Sequence, residues 1–214
     1  MTTVATETGV RDWWLRTLLV LQRPRAVFVA LRDDSSEGVS DRTEQVLLLV
    51  WTAGIAYALA TPAAGTLLDD SDYDGLLIAV WAFIAGGIVG TAAYWAFGLV
   101  LHLSGRLLGS QGSYRRARHV LAFASAPIVL SLVLLPVRLA LYGEDVFRSG
   151  GSDAVGHAAW VFGILDAGFA AWAVALLAIG VRAVHGWAWP RAAAAVALAV
   201  VVGAAAVVLL GLVS

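Results

Sequence analysis

Asp166 is the one acid set well inside an apolar run, about ten residues from its outer end, and Arg138 stands near the end of the run before it. An ionisable group at that depth costs roughly 3 kcal/mol or more to insert into lipid, so it must face other protein and find a partner, or be protonated. Paired with Arg138, whose long side chain can reach along the helix axis, the carboxyl is a structural clasp. Facing a water-filled space it is a proton or ion relay. If Arg138 reaches outward to solvent instead, Ser125, Ser131, Thr91 or Tyr94 is left to bond it. Pro127 and Pro136 lie in the same run as Arg138. Each frees a backbone carbonyl and bends its helix, and neighbouring helices or Ser125 and Ser131 can take up the freed groups. The outcome is either a kinked packing helix or a discontinuous one lining a substrate site.

Other chemistry is poorly represented. His102, His119, His157 and His185 are not paired at i, i+4 with each other or with a carboxylate, so no metal site is expected and solvation at the membrane boundary is the expected role. The cluster Asp69, Asp70, Asp72 and Asp74 lacks the glycine and terminal Glu of a calcium loop and reads as a solvated acidic loop. There is no Gly-x-x-x-x-Gly-Lys, no Gly-x-Ser-x-Gly and no pair of acids within one apolar run. The expectation is a non-enzyme without metal or cofactor.

The elements that must position these residues follow from composition. Of 214 residues, 60% are apolar and 14% charged, too few polar groups to coat a water-soluble globule. The absence of Cys and a formal net charge of -1 exclude a disulfide-stapled domain and a basic nucleic-acid binder. Five runs are long enough to cross a hydrocarbon core of about 30 Å: Val46–Ala64, Leu76–Leu103, Val120–Leu141, Val155–Val181 and Ala192–Val213. Only helices satisfy their own backbone in such segments, and the period-two alternation of barrel strands is missing, so the fold class is all-α with five transmembrane helices.

Orientation follows from arginine. Arg11, Arg16, Arg23, Arg25, Arg32 and Arg42 precede the first span, Arg106, Arg115, Arg116 and Arg118 lie between the second and third, and Arg182 and Arg191 between the fourth and fifth. The intervening loops carry the acids. Basic loops stay inside, which predicts a multi-pass protein of the cell membrane with its N-terminus cytoplasmic and its C-terminus outside. Residues 1–45 form a cytoplasmic arm and 46–214 the five-helix domain. Within the arm, Trp14, Leu18 and Leu21 share one helical face, and after Arg23-Pro24-Arg25 so do Val27, Phe28 and Leu31. Two short amphipathic helices on the membrane surface are expected, followed by a flexible hinge from Asp33 to Gly38. Small-xxx-small pairs occur at Gly86/Gly90, Ala159/Gly163 and Ala199/Gly203, which suit close helix contact and leave a homo-oligomer face open.

Five spans, the arm motif Arg23-Pro24-Arg25-Ala26-Val27-Phe28, and the passage from Gly109-Ser110-Gln111-Gly112-Ser113-Tyr114-Arg115-Arg116 through Phe123 to Pro127 together resemble the YIP domain, over roughly residues 20–210. These are membrane proteins named for interaction with Ypt/Rab GTPases. The resemblance implies a five-helix integral membrane domain. The Asp-Leu-Tyr-Gly-Pro and Gly-Tyr-Gly-Thr stretches of the eukaryotic pattern are absent, so it implies no particular GTPase partner. The expected function is a membrane scaffold or membrane-organising protein. Arg23, Arg25, Arg115, Arg116 and Arg118 are its candidate contacts to lipid headgroups or to a cytoplasmic protein. The alternative is a small-solute transporter or channel component built on Asp166 and the proline-bent third span.

Overall fold

The computed structural model describes residues 19–151 and 157–213, and among them every regular element is helical. Residues 19–22 are helical, Arg23 leaves the helical region, and Pro24, whose missing N–H costs nothing in a first turn, opens α1, Pro24–Ala30. Trp14 and Leu18 lie outside the described residues. The segment read as a hinge is shorter than expected, because only residues 33–35 are non-helical. Asp33 accepts the Ser35 N–H at 3.0 Å and Ser35 Oγ accepts the Gly38 N–H at 3.2 Å. Two orphan donors are thereby satisfied, and α2, Ser36–Leu59, starts at once.

Asp74 caps α3, Gly75–Leu107, through the Leu77 N–H, and Ser113 caps α4, Tyr114–Ala124, through the Arg116 N–H. The run containing both prolines continues in three pieces, α4, α5 (Ala126–Ser131) and α6 (Leu134–Tyr142). The helix is interrupted at Ser125 before Pro127, and again at residues 132–133 ahead of Pro136. Ser125 and Ser131 hydroxyls donate to Ala122 and Ile128 carbonyls, both at 2.7 Å. Last come α7, His157–His185, and α8, Trp189–Val213.

Among the described residues three segments are long and apolar enough to cross a membrane: Gly75–Leu107, Tyr114–Phe147 and Ala159–His185. In α8 the described apolar stretch, Trp189–Ala205, is shorter, and α2 carries Glu37, Asp41, Arg42, Glu44 and Gln45 in its first ten residues. The outward faces are made of large apolar side chains, among them Ile88, Ile164 and Trp160, the last 76% exposed. Patches of this extent are untenable in water and ordinary in lipid.

Close packing is concentrated in two places. One is the crossing of α2 and α3, where Gly54 faces Gly86 and Gly90 so tightly that a Cβ on Gly54 would lie 1.9 Å from the Gly86 carbonyl oxygen. The Gly86/Gly90 pair is therefore spent inside the chain. The other is the arginine-rich end of the bundle, where Phe28, Leu31, Val120, Phe123, Leu176, Val181 and Ala195 share one core. Here the arm departs from expectation. Val20 and Phe28 are 0% exposed, and the apolar side of α1 packs against α7 instead of lying on lipid. Gly180 makes room for it, since a Cβ there would sit 3.0 Å from the Phe28 ring. What α1 leaves outward is Arg25, Ala26, Val29 and Ala30, with Arg23 exposed just before it.

Candidate functional site

Helix starts and loop turns at the arginine-rich end bring polar groups into one layer. Arg42 is 8% exposed, one turn before the apolar part of α2. Its Nη2 donates to the Asp33 carbonyl at 2.5 Å and its Nε to His119 Nδ1 at 3.0 Å. A ring nitrogen that accepts is unprotonated, so His119 is neutral with its hydrogen on Nε2. Across the layer, His185 Nδ1 lies 2.9 Å from the Val181 carbonyl, which can only accept. Ser110 Oγ lies 2.7 Å from Nε2, which in a neutral ring with its hydrogen on Nδ1 accepts from the hydroxyl. These two histidines are structural members of a buried layer, not solvated boundary groups. Arg32 donates to the Ala183 carbonyl from Nε at 2.9 Å, and Arg191 donates to the Leu108 carbonyl. Each guanidinium thus ties one helix end to another.

Asp34 is the hinge pin. Its carboxylate accepts the Ser113 hydroxyl at 2.6 Å and Arg115 Nε at 3.1 Å, with Arg116 Nη2 at 3.9 Å. Arg115 also donates to the Asp34 carbonyl and Arg116 to the Arg32 carbonyl. Partial burial works against the charged carboxylate, but the Ser113 hydroxyl and the two guanidiniums outweigh it and hold Asp34 below the usual carboxylate range. A carboxyl with a lowered folded-state pKa contributes stability above its unfolded value of about 3.9 and loses it as pH falls through the folded value. Acidification below about pH 4 is therefore expected to loosen the arm from the Gly109–Ser113 loop. Thermal melts of Asp34→Asn should show a smaller decline than the parent between pH 5 and 3, values bracketing about that pKa. Parallel declines would remove Asp34 as the origin.

The five arginines proposed from sequence as headgroup or partner contacts fall into three groups. Arg115 and Arg116 are engaged by Asp34 and the arm backbone. Arg23, just before α1, and Arg25, in its first turn, stand exposed. Arg118 lies against aromatic rings, its guanidinium carbon 3.6 Å from the Trp95 centroid, 4.7 Å from Tyr114 and 5.1 Å from Tyr94.

At the other end, Arg138 Nη2 lies 2.5 Å from Asp166 Oδ2, with the guanidinium carbon 4.8 Å from the Phe162 ring. The Asp166 side chain is 42% exposed, so protein covers only part of this pair. The roles of Arg42, Ser110, His119 and His185 are not legible from sequence spacing. Arg42 and His119 are 77 residues apart and Ser110 and His185 75 apart, and only the polar-to-apolar junction at Arg42 hints at a buried role. Among the described residues no three His, Cys, Asp or Glu side chains gather as a metal site.

Long apolar helices with lipid-suited outward faces, closed at one end by an arginine layer, define a helical-bundle membrane protein. The Yip1 domain family model matches residues 18–211, and the chain belongs to that family. No curated protein and no solved structure matches it.

Proposed function

We propose that this chain is a non-enzymatic five-span scaffold of the cell membrane, with an N-terminal arm, residues 1–45, whose described part, residues 19–45, is held rigidly at the cytoplasmic end. The observation that carries this reading is the clasp around Asp34. A segment fastened by Ser113, Arg115 and Arg116, with Phe28 sunk in the core, presents Arg23 and Arg25 as a fixed basic surface. A preorganised cationic face suits anionic headgroups or an acidic cytoplasmic protein, since little ordering entropy remains to be lost on binding. In this reading α2 and α8 complete the five crossings, their shorter apolar stretches accommodated by tilt and local thinning.

Orientation is open to a direct test, because the chain has no cysteine. Single replacements at Ser71 and Gln111, both exposed, report the two sides, and Gln111 is preferable to Ser113, whose hydroxyl caps α4. An impermeant thiol reagent on intact cells is expected to label Ser71→Cys and not Gln111→Cys. The reverse pattern overturns the orientation. Co-purification in mild detergent with Arg23 and Arg25 both changed to Gln then tests the arm surface, and a partner set identical to the parent's counts against it.

Arg138 and Asp166 act in this proposal as a clasp between α6 and α7, with no part in transport. Removing either partner leaves a charge in a poorly solvated place at a cost of about 3 kcal/mol. Asp166→Asn and Arg138→Ala should each lower thermal stability, and the double variant should cost less than their sum. Solute flux in proteoliposomes that vanishes in Asp166→Asn would replace the clasp with a relay.

A further inference from the structure

Arg118 is held by aromatic rings and bonded to no acceptor among the described residues. Among the described residues none of its N–H groups reaches a hydrogen-bond acceptor, and no carboxylate lies within ion-pairing distance. Its Nε is buried without a partner, while the terminal nitrogens are neither bonded nor buried. The side chain is nonetheless held firmly. Its stem lies in a notch at Gly98, where a Cβ would meet Arg118 Cγ at 2.3 Å. Its guanidinium faces the Trp95, Tyr114 and Tyr94 rings, and the Tyr114 hydroxyl donates to the Trp95 carbonyl at 2.6 Å, locking α3 to α4 beside it.

The depth of this cluster follows from helix length. α3 has 33 residues, about 50 Å, against about 30 Å of hydrocarbon. Its first turn is capped by Asp74, next to three more aspartates that do not enter hydrocarbon, so the surplus falls at the other end. About twenty residues from Leu76 ends at Trp95, which places the rings and Arg118 at the inner boundary. Trp95 is 50% exposed, on an outward face of α3. A guanidinium with open N–H groups, oriented in advance by aromatic rings at headgroup depth, has the chemistry to grip a phosphate through charge-assisted, forked hydrogen bonds. Arg115 is less suited, because Asp34 already occupies it.

We propose that Arg118, seated on Gly98 and braced by Tyr94, Trp95 and Tyr114, is the phosphate-binding centre of a site for one anionic phospholipid of the inner leaflet. The assignment rests on the five-span reading. It is tested by native mass spectrometry of phosphatidylglycerol retained by the full chain in mild detergent, with phosphatidylcholine and inorganic phosphate as competitors. Arg118→Gln should lower retention about tenfold, the scale of one charge-assisted pair. Arg118→Lys, which keeps the charge and loses the fork, should fall between and serves if the Gln variant does not fold. Gly98→Val keeps the arginine but closes its notch, and should lose retention too. Arg148→Gln, at the opposite end of the bundle, should retain the lipid as the parent does.

Retention unchanged in Arg118→Gln, or in Arg118→Lys and Gly98→Val together, overturns the site and leaves a structural brace. Displacement by inorganic phosphate as readily as by phosphatidylglycerol overturns the lipid assignment. Both failures leave the five-span reading intact. That reading fails separately if Gln111→Cys labels from outside, and the inner-leaflet assignment falls with it.

Discussion

Gly54→Ala is expected to abolish most of the folded protein, although it adds a single methyl group. That methyl would occupy space 1.9 Å from the Gly86 carbonyl oxygen and 2.8 Å from Gly90 Cα, both backbone atoms that cannot rotate away. The two helices would have to separate along their whole crossing, because Gly90 approaches the Val50 carbonyl and Gly86 approaches Ile55 in the same interface. Overpacking usually costs 1 to 3 kcal/mol, and a clash with backbone on both sides belongs at about 3 kcal/mol or above. Without a hydrophobic drive between helices in lipid, that lost contact has little to replace it. Thermal melts in detergent and the monodisperse fraction read the effect. Gly65→Ala, where nothing lies within 4 Å, is the matched control and should melt with the parent. If the two variants behave alike, the α2–α3 crossing does not hold the bundle together.

The second large effect is expected at Phe28, in the N-terminal arm. Its ring is 0% exposed and lies against Gly180 of α7 and Val120 of α4. Phe28→Ala removes the most deeply buried large side chain of the arm and leaves a cavity that rigid neighbours cannot close, a loss of about 3 to 5 kcal/mol. The loss should be local first, because Phe28 is the largest side chain by which the arm enters the core, beside Val20 and Leu31, while the Arg32 to Ala183 bond and the Asp34 clasp remain. Trypsin should then cut after Arg25 and Arg32 in Phe28→Ala under conditions in which the parent survives. Val29→Ala, at an outward position of α1, should leave the pattern unchanged. An arm equally resistant in both variants would mean that it is held by the polar clasp and not by its ring.

The same contacts explain which features were legible in the residues. Hydrophobic runs of more than twenty residues with few charges permit one regular structure, since backbone groups in lipid must bond within their own segment. The helical class and the membrane setting follow from that constraint, and the order of residues from Arg23 to Phe28 and from Gly109 to Pro127 carries the family. The start of α1 was legible for a local reason, because Pro24 suits a first turn, whereas the caps at Ser35, Asp74 and Ser113, each reaching an N–H three residues ahead, emerge only in the structure. The hinge from Asp33 to Gly38 was misread because polar composition is shared by a flexible linker and a capped first turn, which only the Ser35 to Gly38 bond distinguishes.

Composition and order alone determined an all-helical membrane protein of the Yip1 family. Only the tertiary structure decided that Gly86 and Gly90 meet Gly54, that the apolar side of the arm enters the core, and that Asp34 holds Arg115 and Arg116 while Arg23 and Arg25 remain outward. The reason is range. Capping and span formation depend on neighbours a few residues away, whereas Arg42 and His119 or Asp34 and Arg115 meet across some eighty residues of chain, and their one-dimensional spacing contains no trace of the helix crossings that join them.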